Sequence, residues 1–176
     1  MAAGLNRRDM ITGGGTALGW FLIGGSRVWA TPATAVAQGF SPQVLTHPQI
    51  KALEILGDTL VPGSVEAGLA AFIDAQLEAG PESKLIAKYL GVPVEQQTGF
   101  YRAALDAVGT ALSNLQPQAL VAAMGADAVS NWTAPPASYV HFVLRADALD
   151  VTYGTEAGFE LLGIPYSAHI TPETRW

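Results

Sequence analysis

From Thr46 onward, apolar positions recur three and four residues apart, the spacing that lines one face of an α-helix. Thr46-His47-Pro48 offers a capping hydroxyl and an early proline. Ile50, Leu53, Leu56 and Leu60 then share a face up to the stop at Pro62-Gly63. Ser64 is the predicted cap of a second helix, with Leu69, Phe72, Ile73 and Leu77 as its stripe and Gly80-Pro81 as its end. A short amphipathic piece holds Leu85, Ile86, Tyr89 and Leu90 and closes at Gly91-Val92-Pro93. The longest helix is predicted from Val94 to Leu115, with Phe100, Tyr101, Leu105, Val108, Leu112 and Leu115 on its buried side. Gln116-Pro117 opens another, carrying Leu120, Val121 and Met124, and Asn131 to Pro136 forms a loop around Trp132. Ala137 to Leu149 is a strongly apolar helix with Tyr139, Val140, Phe142, Val143 and Leu144. The chain turns irregular at Tyr153-Gly154, forms a helical turn from Glu156 to Leu162, and ends in GIPYSAHITPETRW, which has no period. The expected fold class is all-α: a small helical domain with an irregular, aromatic-rich carboxy-terminal arm.

The first 37 residues follow a different pattern. Arg7 and Arg8 precede Asp9-Met10-Ile11, a glycine-rich run and then Trp20-Phe21-Leu22-Ile23. A paired arginine before a weakly apolar core is the address of the twin-arginine route, which exports folded proteins. Ala35-Val36-Ala37 is a small-residue cleavage pattern before Gln38, and Ala33-Thr34-Ala35 is a competing frame. The glycines at 13 to 15 make the core a poor helix, and the apolar run is well short of the roughly 20 residues that span a bilayer. Residues 1–37 are therefore expected to be a twin-arginine signal peptide, with 38–176 as the helical domain; the alternative is an uncleaved amino-terminal anchor.

Charge and cysteine usage narrow the function classes. Arg7, Arg8, Arg27 and Asp9 fall before Gln38, which leaves 6 of the 9 basic and 14 of the 15 acidic residues beyond it, a net of −8. Such a surface repels phosphate backbones, so DNA and other nucleic acids are not expected partners. There is no cysteine, which excludes disulfides, thiolate metal sites and covalent haem attachment.

Catalytic chemistry is thinly represented. Gly13-Gly14-Gly15 does not sit between a strand and a helix, and no dinucleotide or P-loop fingerprint occurs. His47, His141 and His169 do not pair at helical spacing: His47 is expected in solvent, His141 in a core or interface, and His169 on the arm. Asp147 and Asp150 form an acid/base pair on paper, with Glu156 nearby. No nucleophile motif accompanies them, and the favoured reading is structural, with Arg145 paired to carboxylates elsewhere. No catalytic, cofactor or metal residue is assigned.

The carboxy-terminal aromatics weigh more. Tyr139, Phe142, Tyr153, Phe159, Tyr166 and Trp176 crowd the end of the chain beside Ile164 and Ile170. Apolar surface of this kind marks an interface, where aromatic anchors carry much of the binding energy.

Ile55-Leu56-Gly57-Asp58-Thr59-Leu60-Val61-Pro62-Gly63, with Ala67-Gly68 after it, resembles the opening block of the gluconate 2-dehydrogenase subunit 3 family. Phe142 to Asp147, Tyr153-Gly154 and Leu162-Gly163-Ile164-Pro165 resemble its second block, and the likeness runs over residues 45 to 176. The family's Tyr-Gly-Gly-Asn stretch is Tyr153-Gly154-Thr155-Glu156 here, and the tail through Trp176 looks more like the small subunits of glucoside 3-dehydrogenases. The resemblance implies a non-catalytic small subunit without a cofactor of its own. Its partner would be a periplasmic, FAD-dependent dehydrogenase of the glucose–methanol–choline type, exported folded under this chain's signal. Electrons would pass from that partner to a c-type cytochrome, and any membrane association would run through the partners. The contact residues expected on apolarity and resemblance are Tyr139, Phe142, Arg145, Tyr153, Phe159, Ile164, Tyr166, His169 and Trp176, with Arg7 and Arg8 as the export signal. The rival expectations are a stand-alone exported enzyme using Asp147, Asp150 and Glu156, and a free periplasmic binding module.

Overall fold

The computed structural model describes residues 19–164. Arg7, Arg8, Tyr166, His169 and Trp176 lie outside them, as does the arm from residue 165 onward. The described chain is mostly helical but not all-α: it opens with an antiparallel hairpin, β1 (Gly19–Ile23) and β2 (Ser26–Ala30). The helices are α1 (Pro32–Ala37), α2 (His47–Leu60), α3 (Leu69–Ala79), α4 (Ile86–Tyr89), α5 (Val94–Leu112), α6 (Pro117–Gly125), α7 (Ala137–Tyr153) and α8 (Glu156–Leu161).

The hairpin corrects the fold-class expectation, and its cause is local. Gly24 and Gly25 both take positive φ, 55° and 81°, the mirror-image turn that matches the twist of paired strands. Trp20 then faces Trp29, with ring centroids 5.3 Å apart, while Phe21 points into the body. Phe21, Ala30 and Ala35 form a small second core with Ala71 of α3. The residues assigned to the end of the leader thus fold as a hairpin and a short helix seated on α3.

The main core is organised around α2, which packs against α3, α5, α6 and α7. Thr46 caps its start, as the Thr-His-Pro sequence predicts, and the Gln49 side chain accepts from the Thr46 backbone N–H to make a reciprocal capping box. Leu53, Leu56, Ile73, Leu105, Val108, Leu120, Met124 and Leu144 are fully buried around it. Asp74 secures the approach to α2: its carboxylate accepts backbone N–H bonds from Gln43, Val44 and Leu45 at 2.7 to 2.9 Å. A buried carboxylate held by three donors is satisfied without a cation.

Three local expectations are corrected. Ser64 does not cap the second helix; it is buried in a turn with its hydroxyl unpaired, and α3 starts five residues later behind Gly68. Leu115 lies beyond the end of α5 and is exposed. The apolar helix α7 continues past Leu149 to Tyr153 before Gly154 caps it.

Candidate functional site

α7 is the element on which most of the sequence candidates fall. Asp127, ten residues upstream of its first turn, does the work of a cap by accepting from the Ser138 backbone N–H at 2.7 Å and from the Ser138 hydroxyl. Those two bonds hold the Asp127 carboxyl below its ordinary range. Val140, Val143, Leu144, Ala148 and Val151 make the inner face and join the main core.

Asp147 also lies on this inner face, 1% exposed. Tyr101 of α5 donates its hydroxyl to one carboxylate oxygen at 2.5 Å, and the Ile86 backbone N–H donates to the other at 3.0 Å. The carboxyl therefore ties α7 to α5 and to the first residue of α4. Burial, with a smaller contribution from nearby Asp150, outweighs these two bonds and pushes Asp147 up to about 7. Burial and the Asp147 charge likewise push the Tyr101 phenol well above its usual range. Asp150 is exposed on the same helix, and burial raises it in lesser part. Both Asp147 oxygens are engaged inside the protein, so the pair does not open onto one shared cleft. A cleft of about 580 Å³ between α2 and α5 is lined by Gln49, Lys51, Ile55, Asp106 and Thr110, and neither aspartate reaches it.

The outer face of α7 reads differently. Phe142, Arg145 and Leu149 recur at i, i+3 and i+7, which sets them on one stripe facing solvent. Phe142 is 56% exposed, unusual for a phenylalanine in the middle of a helix. α8 packs back on the end of α7, and Gly158 is what permits the approach: a Cβ there would lie 2.5 Å from the Thr152 carbonyl oxygen. Beyond it Leu161 is 74% exposed, and Leu162 and Ile164 are half exposed. The outer face of α7 and the end of α8 thus carry five large apolar side chains turned to solvent.

The sequence candidates divide on this geometry. Phe142, Arg145 and Ile164 are on the solvent side. Tyr139 is half-buried, stacked edge-on against Phe100 at 5.6 Å and donating to the Leu90 carbonyl, so it already has structural work. Tyr153 is half-buried against the main core, and Phe159 is half-buried on α8. Arg145 makes no ion pair with any described residue, which corrects the expectation that it pairs with a carboxylate there. With partial burial, its charge lowers the His141 imidazole instead. His47 is exposed at the start of α2, as expected. Leu149, Leu161 and Leu162 were missed as surface residues; the 142-145-149 spacing was the available signal.

Among the described residues no group of His, Asp and Glu side chains is arranged to hold a metal ion. Within the same span no helix is long and apolar enough to cross a membrane. Comparison with protein-family models, curated proteins and solved structures finds no match.

Proposed function

We propose that this chain is the non-catalytic small subunit of a periplasmic, FAD-dependent sugar dehydrogenase, of the gluconate 2-dehydrogenase or glucoside 3-dehydrogenase kind. It binds the large catalytic subunit, supports its maturation and carries its twin-arginine export signal through Arg7 and Arg8. FAD belongs to that partner, and a c-type cytochrome takes the electrons onward. The observation that carries the reading is the solvent-facing stripe of Phe142 and Leu149, continued by Leu161, Leu162 and Ile164. A helical domain that leaves a mid-helix phenylalanine and a run of leucines in water gains by covering them with another surface. The resemblance of Ile55 to Gly63 and of Phe142 to Asp147 to the small-subunit family supplies the identity of that surface.

The stand-alone-enzyme alternative, which would use Asp147, Asp150 and Glu156, has less support. Both Asp147 oxygens are committed inside the protein, to Tyr101 and Ile86.

Co-purification from the periplasm with a tag on a flexible linker after Trp176, followed by an absorption spectrum, tests the proposal. A larger chain arriving with flavin bands is the expected result. A colourless, soluble chain that elutes alone overturns it.

A further inference from the structure

Both frames of the predicted cleavage pattern depend on one residue. A processing peptidase of this class reads small side chains at the positions one and three before the cut. Cleavage after Ala37 needs Ala35 at the third position, and cleavage after Ala35 needs Ala35 at the first. Ala35 is fully buried, packed with Phe21, Ala30 and Ala71.

The backbone is equally committed. Thr31 caps α1 by accepting the Thr34 N–H at 3.1 Å, and Pro32 occupies its first turn. The Ala35 N–H donates to the Thr31 carbonyl, and the Ala35 carbonyl accepts from Phe40, at 2.9 and 3.0 Å. A protease binds its substrate extended, at about 3.3 Å per residue, whereas this stretch is wound at about 1.5 Å per residue.

The segment is also keyed to the body from both sides of the cut. Gly68, at φ +91°, leaves room for the start of α1: a Cβ there would lie 2.3 Å from the Pro32 carbonyl carbon and 2.5 Å from its oxygen. A turn in the helical body is thus shaped to fit Pro32, a residue of the expected leader. Ser41 donates to the Leu22 carbonyl at 2.7 Å, Ile23 and Phe40 form a bridge, and Arg27 pairs with Glu78. Hydrolysis of the Ala37–Gln38 bond would give the Ala37 carboxylate and the Gln38 amine, and so separate β1, β2 and α1 from the body they complete.

We propose that the fold shields its own processing site, so that residues 19–37 remain part of the exported protein as a structural module rather than leaving with a cleaved leader. The order of events rests on the proposed export route, with its address read from residues ahead of Gly19: a chain that crosses the membrane folded then meets the peptidase with Ala35 already buried. Cleavage then requires the hairpin and α1 to open together, a sub-global unfolding event.

The test is digestion by a purified signal peptidase, read by intact mass, with the folded full-length chain and a synthetic peptide of residues 26–45 as parallel substrates. The peptide is expected to be cut after Ala37 or Ala35, and the folded chain to be cut roughly 100-fold more slowly at the same bond. Equal rates overturn the proposal, as does a peptide that is not cut, since there would then be no site to shield. Gly68→Val should push α1 away and raise the rate toward that of the peptide. Phe21→Ala, which touches only the small second core, serves the same purpose if the valine variant does not fold. Protection that survives loosening of the module shows that burial is not the guard, and overturns the idea. None of these readouts involves flavin or a partner chain, so a failure here is distinct from failure of the small-subunit reading.

Discussion

The two faces of α7 are built from the same 17 residues and put to opposite uses. The inner face spends Val140, Val143, Leu144 and Val151 on the core and buries a carboxyl among them. The outer face leaves Phe142 and Leu149 in water on either side of Arg145, which has no ion pair among the described residues. Hydrophobicity alone does not separate them, because phenylalanine is outside and aspartate is inside. Hydrogen-bond satisfaction accounts for the inner aspartate: Tyr101 and Ile86 supply the two donors that water would otherwise give. Nothing in the described chain covers Phe142 in the same way, and that exposure is what the proposed partner reading draws on.

The contrast breaks most sharply at Leu144. Truncation to alanine should remove about 2 to 5 kcal/mol of stability, read by urea denaturation, because the side chain is fully enclosed. A loss no larger than that of a surface substitution would mean that α7 does not seat on the core as described.

Asp147 gives the next largest effect and separates its hydrogen bonding from its charge. Asp147→Ala strands the Tyr101 hydroxyl and the Ile86 N–H and should cost about 2 kcal/mol. Asp147→Asn keeps an acceptor for Ile86 and a group that can bond Tyr101, and should be well tolerated. The pH dependence has a definite sign. Burial raises the folded carboxyl to about 7, above the unfolded value near 4. The stability tied to Asp147 is therefore fully present below about pH 4 and is lost as pH rises toward 7. His141, lowered in the folded state, acts in the opposite direction below its unfolded value, which sits near 6.5. Asp147→Asn should thus leave a stability curve that rises, or falls less, between pH 5 and 7; an unchanged curve would show that Asp147 does not titrate in this window.

On the outer face, Phe142→Ala together with Leu149→Ala should shift stability by no more than about 0.5 kcal/mol each. If the proposed small-subunit reading holds and they are anchors, the same pair should weaken association with the proposed catalytic subunit by about 2 kcal/mol, measured by titration of that purified chain. Intact association after both changes would move the interface off α7.

Arg145→Ala should be smallest. With no ion pair to lose among the described residues, stability should stay within about 0.5 kcal/mol, while the His141 imidazole titrates upward in a proton NMR experiment. A fixed His141 value would place Arg145 away from the ring.

The sequence was sufficient for elements whose signals lie within a few residues of one another. The Thr46 cap, the proline starts of α2 and α6, and the stripes of Leu53, Leu56, Leu105 and Val108 were all legible, because caps and helical spacing are local. Gly24-Gly25 between Trp20-Phe21-Leu22-Ile23 and Ser26-Arg27-Val28-Trp29 was an available hairpin signal. The arginine pair ahead of it points instead to a leader over the whole segment. Of the candidate face, the residue types were legible and their side of the helix was not. Tertiary packing decided that Asp147 turns inward, through donors 46 and 61 residues away, and that Phe142 turns out. It also decided that Gly68 makes room for Pro32 and that Ala35 is covered by Ala71. Such facts depend on which distant groups arrive at one place, and a local pattern of apolar and polar positions carries no information about that.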